Sequence, residues 1–316
     1  MNIRKTVKNL VCYGTTTIGI MHFINQVIYH KSKKTKLLSK KNEQYYDSHL
    51  GSIFYTVHGS GSPLLLIHDL DVSSSSHEWN NVISELSKKH TIYAIDLLGC
   101  GSSDKSNMIY TNYLYVQSIT DFIKNVIKNK TDIIASGHSS AFTVMSCSHS
   151  SSLIGKIILL NPESIISNKK VCQIYTKIVK YIFMSPVIGR FIYNMHTNKD
   201  KIEKNFYQKY YYDLEKVSAN MIMYYYESSQ KNNTNGKYLY QSILCGFMNY
   251  NISSNLHKIE NKISIIIGDS DSNNLANAIQ YQNHLPNTEI RKIKNTKYLP
   301  QLESPDEFVT VVEDLL

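Results

Sequence analysis

The stretch Thr131-Asp-Ile-Ile-Ala-Ser-Gly-His-Ser-Ser-Ala141 decides the fold. Ile133, Ile134 and Ala135 form an apolar run that ends in small residues, and Ala141, Val144, Met145 and Ser148 follow at helical spacing. The pattern predicts a strand, a sharp turn and a helix, with Ser139 at the tip. A turn this tight needs small residues two before and two after its apex, because a larger side chain would strike the strand or the helix. Gly137 and Ala141 meet that need around Ser139. A hydroxyl there would sit at the helix N-terminus, where unpaired N–H groups favour a developing negative charge. Taken alone, small-x-Ser-x-small also describes an ordinary strand-to-helix turn, so the surrounding chain has to give it weight.

Working upstream, Ile53 to Val57 is β-rich, Gly59-Ser-Gly-Ser-Pro63 is a turn cluster, and Leu64 to Ile67 is a short apolar run. A helix bearing Trp79, Val82, Ile83 and Leu86 follows, then a strand from Thr91 to Ile95 and a helix from Val116 to Ile127. Downstream of the turn, Lys156 to Leu160 is another strand. Strands alternating with helices predict a mostly parallel sheet with right-handed crossovers. Between Pro162 and about Ile259 the alternation stops, and the chain becomes helical and rich in tyrosine. It resumes with strands at Ile263 to Ile267 and Glu289 to Ile293, and closes on an amphipathic helix with Phe308, Val311, Val312 and Leu315. The expected division is a core over residues 42–163 and 260–316, a helical cap over 164–259, and a separate N-terminal unit over 1–41. Caps of this kind usually line a mostly apolar pocket, although amphipathic packing and codon bias also account for the tyrosines.

The net charge is +9, from 34 Lys and Arg against 25 Asp and Glu. Abundant Lys, Asn, Ile and Tyr point to an AT-rich genome, and no Arg-rich stripe interleaved with aromatics occurs, which argues against nucleic-acid binding. The five cysteines, Cys12, Cys100, Cys147, Cys172 and Cys245, are scattered and lack metal spacing, so they read as reduced residues of a cytoplasmic domain. No metal and no cofactor is expected.

From Asn9 to His30 there is no Lys, Arg, Asp or Glu, and a helix of that length would reach ~30 Å. Thr15, Thr16, Thr17, His22, Asn25 and Gln26 dilute its hydrophobicity, and basic residues flank both ends: Arg4, Lys5 and Lys8 before, and Lys31, Lys33, Lys34 and Lys36 after. Residues 9–30 are expected to associate with a membrane, with the main domain on the cytoplasmic side if they span it. The competing expectation is a helix docked on the domain itself.

In its motifs and their order the chain resembles the α/β-hydrolase fold family, of the lidded esterase and lipase type, over roughly residues 51–316. His68-Asp-Leu70 resembles the His-Gly-x oxyanion segment, and Asp96-Leu-Leu-Gly-Cys-Gly-Ser-Ser-Asp104 resembles the Asp-x-x-Gly-x-Gly-x-Ser loop. Gly137-His-Ser-Ser-Ala141 resembles the nucleophile elbow, and Gly268-Asp-Ser-Asp271 the acid loop. Leu299-Pro-Gln-Leu-Glu-Ser-Pro-Asp-Glu-Phe308 resembles the segment after the catalytic histidine. The resemblance implies Ser139 as nucleophile, Asp271 as acid with Asp269 and then Glu163 as substitutes, and the backbone N–H groups of Leu70 and Ser140 as oxyanion donors.

Two residues depart from that pattern. Tyr298 stands where the resemblance expects the histidine, and a phenol with a reference pKa near ~10 cannot take a serine's proton efficiently. Loss of a triad member leaves only ~10³–10⁴-fold catalysis over water. His284, the one histidine after Asp271, reads as the end of a helix; His138 beside Ser139 and His68 near the oxyanion loop are the other imidazoles in reach by sequence. The second departure is Asp69 in place of glycine, whose carboxylate would repel an oxyanion unless it turns into a local hydrogen bond. Two expectations follow. One is a serine hydrolase with an impaired triad, acting on an acyl substrate with an apolar part; the other is an inactive relative that binds an apolar ligand or a protein partner.

Overall fold

The computed structural model describes residues 3–32, 37, 43–169 and 171–316. The basic cluster Lys33, Lys34 and Lys36 lies outside them. In chain order the elements are α1 (Ile3–Ser32), β1 (Gln44–Ser48), β2 (Gly51–His58), β3 (Ser62–Ile67), α2 (Asn80–Leu86), β4 (His90–Ile95) and α3 (Asn112–Phe122). They continue with β5 (Thr131–Ser136), α4 (Ser139–His149), β6 (Ile154–Leu160) and β7 (Ile166–Ser167). The inserted helices are α5 (Gln173–Met184), α6 (Ile188–His196), α7 (Lys199–Asn205), α8 (Ala219–Thr234) and α9 (Lys237–Leu244). The chain ends with β8 (Tyr250–Asn251), α10 (Ser253–Leu256), β9 (Ile263–Gly268), α11 (Ser272–His284), β10 (Glu289–Ile293), α12 (Pro300–Glu303) and α13 (Pro305–Leu315).

Eight strands form one sheet in the order β1-β2-β4-β3-β5-β6-β9-β10. β2 runs antiparallel to β1 and β4, and the pairs from β4 to β10 are parallel. The inner strands are continuous apolar runs because both of their faces are covered. Leu65, Ile67, Ile133, Ala135, Leu159 and Ile265 pack on one side, and Leu64, Leu66, Ile134, Ile158, Leu160 and Ile266 on the other. This is the period-two alternation of a strand applied to a sheet with helices on both faces. It is an α/β-hydrolase fold.

The strand order reverses between β3 and β5, whose ends are in register at Ile67 and Ala135. Such a switch point leaves a crevice at the carboxyl ends of the strands. It brings the loop from His68 and the turn after Ser136 side by side.

The stretch between β6 and β9 is helical apart from the ribbon of β7 and β8, which pairs Ile166 with Asn251 and Ser167 with Tyr250. α1 is one continuous helix. Its second half packs on α6 and α8, where the buried Asn25 donates from Nδ2 to the Val187 carbonyl and accepts from Asn194.

Candidate functional site

The turn after β5 is built differently from the sequence expectation. The residue with left-handed backbone is Gly137, at φ +54°, and helix α4 begins two residues later, at Ser139. Gly137 is therefore the apex, flanked at the required distances by Ala135 and Ser139 instead of Ser139 being flanked by Gly137 and Ala141. A Cβ at residue 137 would lie 2.3 Å from Asp69 Oδ1 and 2.4 Å from Tyr298 Oη. Nothing larger than glycine fits without displacing those atoms.

Ser139 lies in the first turn of α4, fully buried, and its hydroxyl donates to the His68 carbonyl at 2.6 Å. It ties the helix to the end of β3. The Ser140 N–H donates to Gly137 O at 3.2 Å and its hydroxyl to Ala135 O at 3.3 Å, so it closes the turn. The two amides that do converge are those of Leu70 and His138, and both donate at 2.8 Å to one oxygen, Asp69 Oδ1. The sequence reading paired the amides of Leu70 and Ser140; the structure brings the Leu70 amide together with that of His138, the residue after the apex. The other carboxylate oxygen, Asp69 Oδ2, accepts from the Tyr298 hydroxyl at 2.8 Å. The carboxylate thus takes up the converging donors that an incoming oxyanion would need.

Tyr298 is held on all sides. Its N–H donates to Tyr210 O, its ring stacks on that of Tyr210 at 5.7 Å between centroids, and Asn161 Nδ2 donates to its carbonyl at 2.9 Å. Lys209 Nζ lies 4.4 Å from the ring centroid, within cation–π range. Burial first, and then the charges of Asp69 and Glu163, hold its phenol well above the ordinary tyrosine range. It stays protonated and acts as a donor.

Neither nearby imidazole is available as a base. The His68 ring is fully buried; its Nδ1 faces the Asp69 carbonyl at 2.6 Å and its Nε2 accepts the Leu97 N–H at 3.0 Å. A carbonyl only accepts and an amide only donates, so the partners assign a neutral ring with the proton on Nδ1. Burial lowers its pKa further from the ordinary histidine value. The His138 ring lies edge-on between Phe142 and Tyr250, its pKa also lowered by burial, and its Nε2 has no protein partner. His284 donates from Nδ1 to Gln280 O at the end of α11 and lies near His257.

Of the three carboxylate candidates for the acid, Asp271 caps α11 by accepting the Asn273 N–H at 2.9 Å. Asp269 accepts from the Asn295 N–H and the Ser270 hydroxyl. Glu163 is raised by burial and by the charge of Asp69, with Lys209 and the Tyr298 hydroxyl opposing. Asp271, Glu163, Lys209 and Tyr298, together with Asn161, Asn273, Asn274 and Asn277, line an open pocket of about 410 Å³. Its lining is mostly polar. Among the described residues no cluster of His, Cys, Asp or Glu is suited to a metal ion.

Glu78, which the sequence reading passed over, completes the centre from below. One of its oxygens accepts the Tyr225 hydroxyl at 2.9 Å and the other the Asp69 N–H at 3.3 Å. Burial, with the nearby charge of Asp69, pushes its carboxyl up to about 8. The folded protein therefore keeps a proton that the unfolded chain loses near the reference value of ~4.3, so stability is greatest below that value and falls as pH rises to about 8. Glu78→Gln is expected to remove this part of the slope. Urea midpoints of the two proteins compared across that range test it, and parallel pH profiles would refute the assignment.

The profile of the alpha/beta hydrolase family matches residues 56–311. The chain belongs to the alpha/beta hydrolase family. Among curated relatives, this alpha/beta hydrolase is 26% identical over 140 residues to the 2-hydroxy-6-oxo-6-(2'-aminophenyl)hexa-2,4-dienoic acid hydrolase of Metapseudomonas resinovorans, a match covering 42% of this chain and 48% of that one. The curated relatives that it matches are covered over about a quarter to a half of their own length. Among solved structures, a serine hydrolase involved in carbazole degradation superposes with a TM-score of 0.70 at 17% identity, covering 86% of this chain and 97% of that one. A membrane phospholipase A superposes with a TM-score of 0.69 at 15% identity, covering 99% of this chain and 97% of that one. At such identities the superpositions speak for the shared fold.

Proposed function

We propose that this alpha/beta hydrolase-fold protein does not hydrolyse esters, and that it serves as a binding member of its family. The observation that supports this reading is the apex itself. A nucleophile carried there needs a side chain, and Gly137 has none, with the space for one already filled by Asp69 and Tyr298. The absent base and the occupied oxyanion donors point the same way, because attack, proton removal and charge stabilisation each lack their group. Ser139, the sequence candidate, spends its hydroxyl on a backbone carbonyl inside the fold.

The pocket beside Tyr298 offers carboxylates, an ammonium and four carboxamides, which suits a small polar guest better than an acyl chain. α1 would hold this body at a membrane surface, as its exposed apolar side chains suggest. Exposure to a fluorophosphonate probe is the decisive experiment. The expected result is no covalent labelling and ester turnover at the buffer rate; stoichiometric labelling at Ser139, lost in Ser139→Ala, would overturn the proposal.

A further inference from the structure

Every described side chain of α1 from Thr6 to Ile20 is exposed, and at Gly14 and Gly19 an added Cβ would meet nothing within 4 Å. This half of the helix stands clear of the body. Tyr13, Ile20, Phe23 and Val27, at spacings of seven, three and four, form an apolar stripe turned away from α6 and α8. Tyr13 is 71% and Phe23 68% exposed.

The polar residues in this segment are less polar than their names. The hydroxyls of Thr15, Thr16 and Thr17 all turn back onto helix carbonyls, at 2.8 to 3.0 Å, accepted by Val11, Cys12 and Tyr13. Thr310 and Thr176 make the same bond on exposed helix faces of the body, so the bond does not by itself mark an apolar surrounding; it does leave the three hydroxyls of α1 paired wherever that helix lies. No helix among the described residues is long and apolar enough to cross a bilayer. The clear half, ~18 Å from Asn9 to Ile20, fits instead along the interface of one leaflet, with its apolar stripe down and Lys8 at the headgroup level.

A second stripe flanks α6. On α5, Ile174, Ile178 and Tyr181 repeat at helical spacing, 69%, 52% and 73% exposed, with Lys177 and Lys180 exposed along the edge. α5 packs against α6, as does α1, and Asn25 of α1 is bonded to Val187 in the turn that joins α5 to α6. Neither α1, α5 nor α6 contains an Asp or Glu, whereas Lys8, Lys31, Lys177 and Lys180 are exposed on them. Apolar stripes edged by uncompensated lysines complement a bilayer with anionic headgroups.

We infer that the protein docks on an anionic lipid bilayer at two points, with α1 inserted into the near leaflet and the α5 face of the cap lying on the headgroups. The inference rests on the membrane role of α1 proposed above and adds the second contact and the lipid charge. Flotation of the full chain with phosphatidylcholine vesicles, with and without phosphatidylglycerol, tests it. The chain is expected to float with the anionic vesicles. Ile20→Asp with Phe23→Asp should abolish flotation, and Ile178→Asp with Tyr181→Asp should weaken it about tenfold. Lys177→Gln with Lys180→Gln should weaken it about tenfold or more on anionic vesicles alone.

These positions are exposed, and an unchanged melting curve for each variant verifies the fold. Phe23→Trp, which keeps the stripe apolar, should shift its emission to the blue on anionic vesicles against the fully buried Trp79. Flotation insensitive to the α5 changes would overturn the two-point inference and leave α1 as the anchor. No flotation of the unaltered chain would overturn both readings. A lipid-free dimer by light scattering, broken by the same substitutions in a chain that does not float, would instead make a second copy the occupant.

Discussion

Gly137→Ser is expected to lower the unfolding free energy by about 3 kcal/mol or more and to produce no esterase. The left-handed backbone at φ +54° alone costs a residue with a Cβ about 1–2 kcal/mol. The new Cβ must then push aside Asp69 Oδ1 and Tyr298 Oη, which breaks partly buried hydrogen bonds whose unmade partners cost about 1–3 kcal/mol each. Urea denaturation measures the loss. Adding Asp69→Gly and Tyr298→His should recover part of the stability, because both obstructing groups are then gone. In that triple variant the serine at the apex meets an imidazole and two open amides, and fluorophosphonate labelling is expected to appear. A triple variant that folds yet stays unlabelled would argue against Gly137 as the apex equivalent of a nucleophile.

Asp69→Ala is expected to be as damaging, at about 3–5 kcal/mol, for an opposite reason. The amides of Leu70 and His138 and the hydroxyl of Tyr298 all face this one carboxylate, and alanine would leave three largely shielded donors without an acceptor. Asp69→Asn retains the oxygen for both amides, and the Tyr298 hydroxyl can turn to accept from the new amide group. Its cost should stay near ~1 kcal/mol. Equal losses in the two variants would mean that the hydrogen bonds are incidental and that side-chain volume holds the centre.

Much of the architecture could be read from the residues because the inner strands are apolar on both faces, which only a covered parallel sheet tolerates. The runs at Leu64 to Ile67, Ile133 to Ala135 and Ile263 to Ile267 all fall inside strands of the sheet. Edge strand β1, Gln44-Tyr-Tyr-Asp-Ser48, gave no such signal: it is half solvated and gains its pairing from β2. At the site, the departures at Tyr298 and Asp69 were visible, but their partnership was not, since 229 positions separate the two residues in the chain. The apex was misplaced because Gly-His-Ser-Ser-Ala satisfies the small-residue rule in two frames. Ala135-x-Gly137-x-Ser139 is the frame that the backbone adopts, and the one clue in the sequence was that glycine alone is comfortable in a left-handed bend. Glu78 could not be anticipated at all, as its raised carboxyl comes from burial beneath Tyr225 of α8.

The fastening of α8 has a consequence for motion. Besides Tyr225 on Glu78, Ser228 Oγ donates to Ser74 O while accepting the Gly101 N–H, and Lys105 Nζ reaches the Ser228 carbonyl from the core. Lys231 Nζ adds a bond to Ser102. A covering that swings aside to admit a molecule relies on contacts that water can replace cheaply; these are largely dry, and each would be surrendered at once. The roof over this centre is riveted rather than hinged, so the way in that needs no bond broken is from its flank, beside Tyr298.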